Sequence, residues 1–367
     1  MATCDPDANV AVIKSGFSHR FTLANESCAA YAPSGIGKFN SGMYLTVPFP
    51  HTSVHVIDDT FGEYDRGYLA IPDDVLGVEY YVGTYCAFGG ICQFAITPVI
   101  DNTRVDITFP REVIGSYDCN GVSIQAGETL SFTLNEYEVL HFESPSDLSG
   151  VHILANDTVA LVAGARNIST RIPDNVGSIM EMLPPVSRWG QKFIVSPNPN
   201  NNAGDVIKIV TYADNTKIKI TAFSPFVVPV GGTVVEQRVD WEMHSLVETS
   251  APVMLLQITA LDMYNVTNAV VGTPSMLVVP SVNQYIKRNN LFHLPCDQYT
   301  TIVGISFPNS IWKLFEHIGM SVNVVHNLTE GYDVYSSENY TAYALCGTST
   351  SAFPLAVEWE YEYHVSQ

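Results

Sequence analysis

The chain carries one short pattern three times, and that repetition limits its fold more than any other feature. The copies are LAIPDDVLGVEYYV (69–82), MEMLPPVSRWGQKFIV (180–195) and MLVVPSVNQYIKRNNLF (276–292). Aligning Pro72 with Pro185 also places Gly77 on Gly190 and Tyr80 on Phe193, an offset of 185 − 72 = 113 residues. In the third copy Pro280 takes the proline place and Tyr285 stands where the glycine was. Proline with glycine five positions on marks a fixed reversal ahead of a strand. A fixed period marks a repeated structural unit.

The same offset extends into the units themselves. FAITPVI precedes Asp101-Asn102-Thr103, and after it Val105, Ile107 and Phe109 alternate with Arg104, Asp106 and Thr108. Adding 113 gives Asp214-Asn215-Thr216, followed by Ile218, Ile220 and Ala222 alternating with Lys217, Lys219 and Thr221. Period-two alternation predicts a strand with one buried face, and Asp-Asn-Thr is turn chemistry because Asn tolerates the left-handed conformation. Each unit then shows a glycine-turn hairpin signal, VSIQAGETLSFTL (122–134) against FVVPVGGTVVEQRV (226–239). Each closes on an apolar strand, VALVAG (159–164) against VMLLQI (253–258). ISFPNSIWKL (305–314) and FPLAVEWEY (353–361) repeat the scheme weakly.

No long amphipathic helix is legible, so the expected class is all-β. The units expected are a shortened one at 1–67 and three β-sandwich-like ones at 68–179, 180–275 and 276–367. A pseudo-symmetric ring is the alternative, but units of about 95–113 residues match self-sufficient sandwiches better than propeller blades of about 40–50.

Bulk composition removes several functions. Lys and Arg number 17 against 37 Asp and Glu, a net charge of −20, which leaves no basic field for nucleic acid or an anionic membrane. No apolar run reaches the roughly 18 residues of a membrane span, so membrane insertion is not expected. The opening MATCDPDANVAV lacks the basic-then-apolar order of a signal peptide. Other features point outward, so a processed or excised chain is expected. Of seven cysteines, Cys86 and Cys92 enclose the loop AFGGI, and Cys296 and Cys346 flank the last unit. Both pairs are candidate disulfides of an oxidising compartment. Asn25, Asn156, Asn167, Asn265, Asn327 and Asn339 head glycosylation sequons.

Taken in order, several stretches resemble the N-terminal domain family of IgGFc-binding protein, a β-rich domain of extracellular, mucin-associated proteins. They are LAIPDDVLGVEYYV, ITPVIDNTRVDITFP, LSGVHILANDTVALVAG (148–164), EMLPPVSRWGQKFIVSP (181–197), IVTYADNTKIKI (209–220) and TPSMLVVPSVNQY (273–285). They run from about residue 68 to 295. The resemblance implies a secreted or cell-surface, non-enzymatic adhesion or recognition module with extracellular proteins or glycans as partners, and with self-association open.

Candidate chemistry is sparse. Asp240, His244 and Ser245 resemble a catalytic triad in composition alone, because triad members converge from separate segments. His51 and His55 have the zinc spacing of a helix, yet PFPHTSVHV reads as strand, where four residues span roughly 13 Å. The pairs Asp5/Asp7, Asp58/Asp59 and Asp73/Asp74 raise calcium, without any established calcium-loop spacing. Trp359, Tyr361 and Tyr363 share one face of a predicted strand, a candidate glycan contact or a half-buried closing strand. No catalytic residue and no required cofactor is expected. A calcium-dependent glycan binder and an enzyme on extracellular glycans or small molecules stand as alternatives.

Overall fold

The structure is a computed structural model. It describes residues 8–14, 17–22, 37–40, 42, 44–46, 52–58, 66–87, 89–111, 116–119, 122–169, 176–196, 204–240, 244–259, 274–284, 302–308, 326–327 and 340–346. The fold is all-β, built from β-sandwich-like units of antiparallel strands. Three 3-10 turns, Asp73–Val75, Val186–Arg188 and Val282–Gln284, each follow a linker proline by one or two residues.

The first large sheet has eight strands and turns on one long strand, His152–Ser169. Its residues 152–155 pair with 105–108 on one side, and 152–154 pair with 79–81 on the other. Beyond a register shift between Leu154 and Val159, residues 159–166 pair with Ile91–Pro98 and residues 162–169 with Val176–Met182. One strand therefore serves both layers of a sandwich, as strands that change sheet at a bend do. Glu138–Ser144 then carries the sheet outward to Gly37–Asn40, a strand drawn from the N-terminal region.

The seven-stranded sheet repeats this topology. Ser245–Thr259 is its long strand, pairing first with Gly190–Val195 and Thr216–Ile220, then with Asp205–Thr211 and Ser275–Val278. A four-stranded sheet, ordered Phe17–Thr22, Ala8–Lys14, Thr52–Asp58 and Arg66–Leu69, precedes the two. A three-stranded sheet of Ile302–Pro308, Tyr340–Cys346 and His326–Asn327 follows.

The alternation in sequence is the alternation in space. Val105, Ile107 and Phe109 are buried, as are Ile218 and Ile220. Ala222 departs from that phase, because the strand stops at Ile220 and Ala222 takes a left-handed turn at φ 64°. Phe94 and Phe142 stack at 4.9 Å in the first core. Fully burying a side chain of this size stabilises by about 1.5–3 kcal/mol.

The units do not close separate cores. Val206, Val210, Met254, Leu256 and Ile258 belong to the first sandwich's core, whereas Ile207, Ile209, Val253 and Leu255 fill the second. Asp205–Thr211 is accordingly buried at every position. An antiparallel sheet usually keeps one face wet; here the neighbouring sandwich covers it. The linkers stack too. A Cβ on Gly77 would lie 2.7 Å from Pro185 Cβ, and one on Gly190 would lie 2.2 Å from Ser281 Cβ. Each linker glycine is thus the seat of the next linker's turn, which accounts for its recurrence at the same place.

Candidate binding surface at the joints between units

The Asp-Asn-Thr motif positions a hairpin turn in each unit. Asp101 Oδ1 accepts the Glu136 N–H at 3.0 Å, and Asp214 Oδ1 accepts the Gly231 N–H at 2.7 Å. Thr103 Oγ1 donates to the Ile100 carbonyl and Thr216 Oγ1 to that of Ala213. Asn102 and Asn215 take left-handed φ of 59° and 54°. These shared bonds make Glu136-Tyr137 the counterpart of Gly231-Gly232, which corrects the hairpin alignment drawn from sequence. The Gly127 turn instead joins Val122–Gln125 to Thr129–Leu134, and Val122–Gln125 pairs with Ser116–Cys119 in a two-stranded sheet of its own.

Each pinned turn meets a segment from earlier in the chain. The Tyr137 carbonyl accepts the Gly42 N–H at 2.9 Å. A Cβ on Gly150 would lie 3.0 Å from the Gly232 carbonyl oxygen. Ser-Gly stands at both receiving places, 41–42 and 149–150.

The second joint is closed and well packed. Tyr81 stacks on His152 at 4.6 Å, with Trp189 at 5.9 Å and Tyr212 at 6.4 Å. His152 Nε2 meets Glu79 Oε1 at 2.8 Å. Burial first, and then the Glu79 carboxylate, push the Tyr81 hydroxyl up to about 12. Lys208, on the doubly covered strand, is only 2% exposed. Its ammonium meets Asp147, Ser149 Oγ at 3.3 Å and Glu236 at 3.5 Å, and lies 5.5 Å from the Tyr85 ring centre. Burial raises the Asp147 carboxyl, but the Lys208 ammonium and the Ser149 hydrogen bonds outweigh it and hold the group below its usual range.

The first joint is open. Tyr44 and Tyr137 are 56% and 46% exposed. Tyr44 Oη donates to Asp73 Oδ2 at 3.0 Å, and Asp73 is the main reason its hydroxyl is raised, with Glu136 contributing. Tyr137 is raised by its hydrogen bond to Glu136 and, more weakly, by Tyr44. Tyr137 itself holds φ 65°, where Gly232 holds φ 81°.

A buried carboxyl ties the linkers. Burial pushes the Glu181 carboxyl up to about 8, although the N–H groups of Met182, Val278 and Leu69 favour its ionised form. Those donors come from the three proline linkers. One carboxyl thus bridges all three.

The residues singled out from sequence scatter. Cys86 and Cys92 are bridged. Cys119 is a buried free thiol, raised to about 12 by burial. Cys296 lies outside the described residues, and Cys346 ends a strand that starts at Tyr340. Asn156 is exposed, its Oδ1 accepting the Arg104 N–H at 2.7 Å. Asn167 and Asn327 fall within strands; Asn25, Asn265 and Asn339 lie outside the described residues, as do Trp359, Tyr361 and Tyr363. His244 and Ser245 are buried while Asp240 is exposed. His55 lies on strand Thr52–Asp58, which also ends on Asp58; His51, Asp5, Asp7 and Asp59 lie outside. Asp73 accepts from Tyr44 and from the Asp74 N–H. Among the described residues no group of three or more His, Cys, Asp or Glu is placed to hold a metal ion. Sequence reasoning missed Tyr137, Lys208 and Glu181. The 113-residue offset could not have found the first, because Glu136-Tyr137 precedes its counterpart Gly231-Gly232 by 231 − 136 = 95 residues.

Tandem sandwiches, the second laying one sheet face on the core of the first, define a modular β protein. The chain belongs to the family described as IgGFc binding protein, whose model matches residues 66–350. It is 27% identical over 246 residues to the human IgGFc-binding protein. That match takes in 64% of this chain and 4% of the human protein, so the chain spans a small part of that relative's length. No solved structure matches.

Proposed function

We propose that the chain is an extracellular adhesion or recognition module, secreted or held at a cell surface, that binds proteins or glycans through the turns at its joints without catalysing a reaction. Membership of the IgGFc binding protein family over residues 66–350 carries this reading. The Cys86–Cys92 bridge fits an oxidising compartment. Among the described residues no helix is long and apolar enough to cross a membrane. Immunoglobulin Fc, which the relative's name declares for that protein, is a candidate partner, and self-association through the same turns is another. A glycan on the exposed Asn156 is part of the proposal. So is the division at 67, 179 and 275, with Gly37–Asn40 lent to the second unit's sheet and Ser275–Val278 to the third's.

The test is binding of the purified, glycosylated chain to an array of glycans, mucins, matrix proteins and immunoglobulin Fc, with and without a calcium chelator. Saturable binding to one class that survives chelation supports the proposal. Loss on chelation would replace it with calcium-dependent glycan binding, and silence across the array, together with monomeric sedimentation, would sink it.

A further inference from the structure

We propose that Tyr44 and Tyr137, framed by Asp73, Asp101 and Glu136, form a binding surface for a cationic polypeptide segment that presents arginine. This deepens the recognition reading and rests on it. The argument begins with Tyr137. A bulky residue in the left-handed region is strained, and such strain persists where the surrounding structure over-determines it. Here the turn is held by Asp101, by the Asn135 side chain that accepts the Asn102 N–H at 3.2 Å, and by Gly42. The same turn in the next unit, with the same aspartate bond, uses glycine at φ 81°. Glycine would relieve the strain, and burial does not compensate for it, because the ring is 46% exposed.

What the exposed rings face decides the partner. Gly42, two residues before Tyr44, bonds the Tyr137 carbonyl, Tyr44 lies close enough to raise Tyr137, and Asp73 and Glu136 act on the pair as negative charges. Lys38, on the neighbouring strand, is taken up by Glu138 at 3.7 Å and by the Thr133 carbonyl at 2.6 Å. Two phenol faces beside carboxylates match a guanidinium, which stacks flat on aromatic rings while its N–H fork meets carboxylates. An anionic glycan would be repelled by this surface and by the net charge of −20.

Fluorescence anisotropy with a labelled alternating Arg-Gly dodecapeptide at physiological salt tests the proposal, with Glu-Gly as control. The wild type is expected to bind Arg-Gly saturably and to ignore Glu-Gly. Tyr137→Gly leaves net charge unchanged, so generic attraction to an acidic protein stays constant; it is expected to bind at least five-fold more weakly while its Tm holds or rises. Glu136→Gln is expected to weaken binding about three-fold. Wild-type affinity in Tyr137→Gly overturns the proposal, and so does a lowered Tm, which would make the tyrosine structural. If Tyr137→Gly keeps full affinity for the peptide while the array partner is still bound, this surface falls and the recognition reading stands.

Discussion

The two joints answer one geometric problem in opposite ways. At the second, Gly231-Gly232 lets the turn lie flat against the preceding sandwich, and the Tyr81 ring comes within 3.1 Å of where a Cβ on Gly232 would be. At the first, Glu136-Tyr137 occupies the same turn and its side chains point to solvent. The difference has a cause in the units that receive the turns. The segment after Gly37–Asn40 offers Gly42 and an exposed Tyr44, whereas the eight-stranded sandwich offers Tyr81, His152 and the Asp147 and Ser149 groups that hold Lys208. A joint with a full partner is closed by packing. The other is left as surface, and surface can carry recognition.

Several measurements would break or sharpen this contrast. The largest effect is expected at Glu181, which bridges the linkers common to both joints. Its carboxyl has an ordinary value of 4.5 and is held at about 8 in the fold. The unfolded chain therefore loses the proton first as pH rises; stability is full below 4.5, falls between there and about 8, and levels off above. The full loss is on the order of 5 kcal/mol. Urea midpoints at pH 5 and pH 9 would show it, and Glu181→Gln should flatten the difference. If both joints loosen together at pH 9, the linkers set their common baseline.

Next comes Gly232→Tyr, which grafts the first joint's residue onto the second. It faces both a left-handed backbone and the Tyr81 ring, and should cost about 3 kcal/mol or more. A neutral result by denaturant titration would mean that the second joint is not tightly closed. Lys208→Ala, which removes the buried cation shared by Asp147 and Glu236, should cost about 3 kcal/mol. Lys208→Met keeps the chain's bulk and should cost less, and equal losses would show that packing rather than charge pairing holds the joint. The smallest effect is Tyr137→Gly, expected to stabilise by about 1 kcal/mol through relief of the left-handed strain. Destabilisation there would erase the contrast between the joints.

Much of the fold is written locally. The phase of Val105, Ile107, Ile218 and Ile220, the left-handed Asn102 and Asn215, and the bridged loop from Cys86 to Cys92 follow from residue type and spacing over a few positions. The hairpin equivalence does not. Gly127 and Gly232 look alike in sequence, and only their different strand partners tell them apart. His244 and Ser245, which suggest chemistry by composition alone, are buried where the long strand Ser245–Thr259 begins.

The amino-acid sequence by itself determined the repeat, the strand faces and the turns, because each depends on contacts between near neighbours and on the backbone preferences of Pro, Gly, Asn and Asp. The tertiary structure decided which polar groups are hidden. Lys208 reads as an ordinary outward lysine between Ile207 and Ile209, and it is buried because a second sandwich, contributing Asp147 from 61 residues away, covers that face. Tyr137 likewise gives no local sign of its strain. Its conformation is set by Asp101 and Gly42, which reach the turn from distant places in the chain, and a force applied through such contacts cannot be read along the chain.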